Sequence, residues 1–135
     1  MPFLGNAELR PPVTWHYVFY QKSLEISEKV GDVHGMAETY CNVGLLYFQQ
    51  QQYPEAIRRL IEIFFLFIKL GAAPLVQQTN RILADFQSQL SEREFGRYFN
   101  ETLRGILANG ITWGRHQVVT KDEAQEIGQR LRGKE

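Results

Sequence analysis

Laid over itself at an offset of 40 residues, the chain sets "YQKSLEISEKVGD" (20–32) on "LIEIFFLFIKLGA" (60–72). Leu24 then falls on Phe64, Ile26 on Leu66, Lys29 on Lys69, Val30 on Leu70 and Gly31 on Gly71. A period of this length marks an architecture in which each unit buries its apolar face against the next. Both segments end on a Gly one step past the last apolar residue, where a left-handed helix cap costs Gly little. Two helices with the same stop are therefore expected.

Between these stops, Met36, Tyr40, Val43, Leu46 and Tyr47 recur at three- and four-residue steps, the pattern of an amphipathic helix. Gly44 sits in its middle at a cost of about 1 kcal/mol against Ala, which suits a place where a second helix comes close. Gln49 to Gln52 form a polar turn, and Pro54 fits the first turn of the helix that follows. A further helix is expected over 73–86, with Leu83 and Ala84 at the places of Val43 and Gly44. Another runs to about Leu107, opened by Ser91 and Glu94 at capping-box spacing.

Beyond Asn109 and Gly110 the pattern changes. "ITWGRHQVV" (111–119) alternates β-branched and aromatic residues and predicts an extended stretch. Thr120 and Glu123 then repeat the capping-box spacing ahead of a short polar helix with Ala124, Ile127 and Leu131 on one stripe. The expected organisation is an irregular segment over 1–13, helical repeats over 14–108 and a C-terminal arm over 109–135.

At Tyr40, Val43, Gly44 and Tyr47, followed by Tyr53, Ala56, Leu60 and Ile63 to Phe64, the chain resembles the tetratricopeptide repeat family. Asn42, Pro54 and Glu55 also fit, and the 40-residue spacing is similar to that of the family's longer variant. The departures are Ile63 in place of a small residue, Arg93 where Tyr53 stands one repeat earlier, and Gly96 for Ala56. Pro11 and Pro12 leave no room for an ordinary first helix, so either residues 1–13 form an irregular cap or the chain is cut from a longer array.

The resemblance implies an all-α solenoid of about two and a half helix-turn-helix repeats whose concave groove binds a partner peptide or protein. Carried over by position, the groove residues are Glu38, Cys41, Asn42, Leu45 and Gln49 in one repeat and Gln78, Arg81, Ile82 and Asp85 in the next. The family's clamp for a C-terminal carboxylate needs several Lys, Asn and Arg, and only Asn42 matches it. A scaffold or adaptor is the implied function, with a regulatory or sensor repeat fragment of a larger signalling ATPase or multidomain protein as the alternative.

The remaining composition narrows the field. Fifteen basic residues balance fifteen acidic ones, so no global field draws in nucleic acid or an anionic membrane. A single cysteine, Cys41, allows no internal disulfide and no four-cysteine zinc site, which points to a reducing, cytoplasmic setting. "MPFLGNAELRPP" lacks the basic start and apolar run of a secretory signal. His16, His34 and His116 lie on three separate segments without carboxylates at ligand spacing. No metal, cofactor or catalytic constellation is expected, and an enzyme using Cys41 or His34 is the least supported reading.

One segment stands apart. Nine of the eleven residues from Leu60 to Leu70 are apolar, but a membrane crossing needs about 20, and Glu62 and Lys69 interrupt the run. On a helical wheel Ala56, Leu60, Ile63, Phe64 and Phe67 form the ordinary buried face. Ile57, Ile61, Phe65 and Ile68 continue it, and a wedge with Arg58, Glu62 and Lys69 remains polar. The preceding copy carries Gln21, Glu25 and Glu28 at the last three of those surplus positions, so the repeat itself does not require apolar residues there. Leaving such side chains in water would favour association, since each is worth about 1.5 to 3 kcal/mol on burial. Self-association as a dimer through this face is expected. The other covers are another protein or the chain's own arm, with Ile111, Trp113, Val118 and Val119 as apolar teeth.

Overall fold

The computed structural model describes Lys22 and residues 33–133. Lys22 is helical, and the expectations placed on 1–21, on the first-copy residues 23–32 and on His16 lie outside the described residues. Within them the chain is predominantly helical: α1 (Val33–Gln49), α2 (Tyr53–Leu70), α3 (Ala73–Gln89), α4 (Glu92–Asn109), a β1 (Ile111–Trp113) and β2 (His116–Val119) hairpin, and α5 (Lys121–Gly133). Every helix begins and ends within a few residues of where periodicity and stop signals put it. The extended stretch closes on itself as an antiparallel pair, with Thr112 opposite Gln117 and Trp113 opposite His116.

The helix ends show why. Pro54 lies in the first turn of α2, where its missing N–H belongs to no intrahelical bond. Gly71 ends that helix at φ 69°, with its N–H on the Ile68 carbonyl and the Ala72 N–H on the Phe67 carbonyl. The same paired bonds end α1, from Gln51 to Phe48 and from Gln52 to Tyr47, but there the left-handed residue is Gln51 at φ 62°. The capping box is complete at Thr120 and Glu123, while at Ser91 the Glu94 carboxylate accepts from the Ser91 hydroxyl. The Glu94 N–H donates to Ser91 Oγ at 3.1 Å, and Thr120 and Glu123 exchange side-chain-to-backbone bonds of 2.9 and 3.1 Å.

α2 is the central helix, in close contact with α1, α3, α4, β2 and α5. Nine of its residues are buried: Ala56, Ile57, Leu60, Ile61, Glu62, Ile63, Phe65, Leu66 and Phe67. Its approach to α1 depends on Gly44, where a Cβ would lie 2.5 Å from Leu60 Cδ2 and 3.3 Å from Arg59 Cβ. Phe48 of α1 stacks on Phe86 of α3, centroids 3.9 Å apart. The backbones of α3 and α4, by contrast, hardly approach each other.

The surplus apolar face is corrected here. Ile57, Ile61 and Phe65 are 0%, 1% and 1% exposed, so they do not stand open for a second copy. They join one core cluster with Phe95 and Ile106 of α4 and with Ile111, Trp113, Val118, Val119, Ala124 and Ile127 of the arm. Ile68 is half-buried. Glu62, assigned to the polar wedge, is also buried. The wheel shows which side chains share a face; only the folded chain shows that α4 and the arm return to cover it. Among the described residues no helix is long and apolar enough to cross a membrane.

Candidate functional site

A cavity of about 210 Å³ lies between α1 and α3. Glu38, Cys41 and Asn42 line it from α1, Leu75, Gln78, Thr79 and Ile82 from α3, and Phe67 of α2. Glu38, Asn42 and Gln78 are exposed, Cys41, Leu75 and Ile82 half-buried, and Phe67 and Thr79 buried. The result is a polar rim over an apolar floor, the usual make-up of a recognition site.

Five of the nine positions carried over by spacing, Glu38, Cys41, Asn42, Gln78 and Ile82, thus meet round one cavity. The other four do not line it. Leu45 packs against the core, Gln49 is exposed at the end of α1, and Arg81 and Asp85 are exposed on α3. Sequence reasoning omitted Leu75 and Thr79 from the groove, although Leu75, Thr79 and Ile82 follow the same three- and four-residue steps. Phe67, counted as ordinary core, also reaches the cavity.

Thr79 Oγ1 donates to the Leu75 carbonyl at 2.8 Å, so its hydroxyl proton is held within its own helix. Burial, and after it the negative charge of Glu38, raise the Cys41 thiol above its ordinary pKa. At neutral pH Cys41 is a protonated small side chain rather than a thiolate nucleophile. Among the described residues no three of His, Cys, Asp and Glu gather as a metal site would require. His116 is exposed on β2.

A second cluster fixes the arm. The Trp113 indole N–H donates to Glu62 Oε1 at 3.1 Å, and the same oxygen accepts from Arg59 Nη1 at 3.4 Å. Arg59 lies over the Tyr40 ring, 4.5 Å from its centroid, and Tyr40 meets Trp113 at 4.2 Å. A buried indole needs an acceptor, and a carboxylate removed from water needs donors; here each meets the other's need. Lower on α2, Lys69 Nζ donates to the Val118 carbonyl at 2.9 Å and pairs with Glu123 at 3.1 Å. The Thr120 backbone hydrogen bond, with lesser help from Lys69, holds the Glu123 carboxyl below its ordinary pKa.

Ile68, the remaining member of the supposed self-association face, lines a cavity of about 170 Å³ with Phe64, Val76, Ile127, Arg130 and Leu131. The apolar surplus of α2 is therefore largely used within one chain. Compared with known proteins, the chain matches no family model, no curated protein and no solved structure at a significant level.

Proposed function

We propose that the chain is a tetratricopeptide-like binding module, a scaffold or adaptor that receives a partner peptide in the groove between α1 and α3. The observation that carries this reading is the cavity itself: residues chosen by repeat position from two segments 40 apart, Glu38, Cys41 and Asn42 with Gln78 and Ile82, line one concavity. Support comes also from α1 and α2, of 17 and 18 residues, joined at the close approach over Gly44. The protonated Cys41 and the bond-making capacity of the amides at the rim suit recognition rather than turnover.

The test is selection of binders from a random peptide library on the native chain, followed by ¹⁵N chemical-shift mapping. Selected peptides are expected to shift the amides of residues 38–42 and 75–82 and to lose binding to Asn42→Trp, which fills the exposed rim without touching the core. Binders that shift only residues outside α1 and α3, or a selection that yields none, would overturn the groove as the functional site.

A further inference from the structure

We propose that the α1/α3 groove seats an arginine side chain of its partner, with Glu38 as the counter-ion; this rests on the groove being the binding site. Glu38 is the one charged residue among those lining the cavity. Glu62 is engaged with Arg59 and Trp113, Glu123 with Lys69 and Glu101, at 3.9 Å, with Arg97. Among the described residues Glu38 makes no hydrogen bond or ion pair, and none of the residues described as lining the cavity is Lys, Arg or His. Glu38 and the half-buried Cys41 line the same cavity, and the Glu38 charge, after burial, raises the Cys41 thiol. A cationic guest complements this lining, and an acidic tail is disfavoured by the same charge.

The shape of the lining selects which cation. A guanidinium carries five N–H donors in a planar fork and is more weakly hydrated than an ammonium. The rim offers acceptors to match: the two carboxylate oxygens of Glu38 and the amide oxygens of Asn42 and Gln78, neither of which is used among the described residues. The methylene stem of an arginine needs an apolar wall, and Phe67, Leu75 and Ile82 supply it. Lysine shares the stem but presents a compact charge with three donors, which leaves part of this acceptor set unused.

The probes are fluorescein-labelled nonapeptide pools, random except for a central Arg, Lys, citrulline, Leu or Glu, titrated against the full chain by fluorescence polarisation. The Arg pool is expected to bind tightest, with citrulline, its uncharged isostere, about tenfold weaker, the range for losing one charge of a half-buried hydrogen-bonded pair. Glu38→Gln should bring the Arg and citrulline pools level, and Glu38→Arg should turn the preference to the Glu pool. Glu38 is exposed, so both variants keep the core intact. Equal binding of the Arg and citrulline pools, equal binding of the Arg and Lys pools, or an Arg preference that survives Glu38→Gln would overturn the proposal. Pools that shift groove resonances without preferring Arg sink this inference alone; pools that shift no groove resonance sink the groove reading with it.

Discussion

The two helix pairs α1/α2 and α3/α4 share a 40-residue spacing, yet one pair lies face to face and the other is parted. The difference sits at two positions. In the first pair Gly44 of α1 meets α2 so closely that a Cβ would press on Leu60 and Arg59, opposite the fully buried Ala56. In the second, Ala84 is exposed, and a Cβ on Gly96, the counterpart of Ala56, would meet nothing within 4 Å. Small residues allow close approach, but they do not compel it. α4 instead lies against α2, and with the arm it takes over the cover that a further repeat would give.

The strongest way to break this contrast is through the arm, which is fastened to the first pair. Trp113→Ala should cost about 3 to 5 kcal/mol of stability, the usual range for emptying a buried aromatic site, and it strips Glu62 of a donor as well. Trp113→Phe keeps most of the apolar contact and should cost about 1 to 3 kcal/mol through the unmet carboxylate. Urea unfolding measures both, and a Trp113→Phe loss near zero would mean that the indole N–H to Glu62 contributes nothing.

The next test is one of sign. Gly44→Val should destabilise by about 2 to 3 kcal/mol by overpacking, whereas Gly96→Ala should stabilise by roughly 0.5 to 1 kcal/mol through helix propensity alone. Midpoints moving the same way in urea would show that α3/α4 pack as α1/α2 do. A smaller pair of effects compares the two helix stops. Gly71→Ala should cost about 1 kcal/mol for a side chain in the left-handed region. Gln51→Gly should gain about half that, because relief at φ 62° is partly offset by the freer unfolded chain. Thermal melts resolve both.

The smallest effect is on pH. Because the folded pKa of Glu123 is depressed, its contribution is present above the unfolded value of about 4.3. It fades as pH falls through the lower folded value. Glu123→Gln should lower the melting temperature slightly at pH 7 and not at all near pH 2. The Lys69 pair is partly solvent-screened, so the change at neutral pH stays below those above. A melting difference that persists unchanged into acid would show that the carboxylate charge is not what matters.

Local signals were the legible ones. Helix limits, the Gly71 stop, the Ser91 cap, the Thr120 capping box and the tight place at Gly44 follow from short spacings, because each is decided by neighbours a few residues away. That Glu38, Cys41, Asn42, Gln78 and Ile82 line one cavity was legible too, since choosing a helix face needs only the period. The Glu62 to Trp113 bond was not: the partners are 51 residues apart, and the wheel that placed Glu62 among polar residues has no knowledge of an indole arriving from the arm. The parting of α3 from α4 was hidden for a related reason. Arg93 and Gly96 mark departures from the repeat, but which surface α4 chooses instead depends on the apolar excess of a helix two elements away.

That long separation has a kinetic side. The α1/α2 and α2/α3 contacts join adjacent elements and close short loops, while Trp113 to Glu62 and Lys69 to Val118 span 51 and 49 residues. Closing a long loop costs entropy before its contacts return any, so the arm should dock after the helices have assembled. Substitutions at Trp113 or Lys69 are then expected to speed unfolding and leave the folding rate almost unchanged. Stopped-flow mixing followed by far-ultraviolet circular dichroism separates the two limbs, and a slowed folding limb for Lys69→Met would place the arm in the nucleus instead. A late clasp of this kind makes the arm the part of the molecule that governs how long the native state lasts, rather than how quickly it is reached.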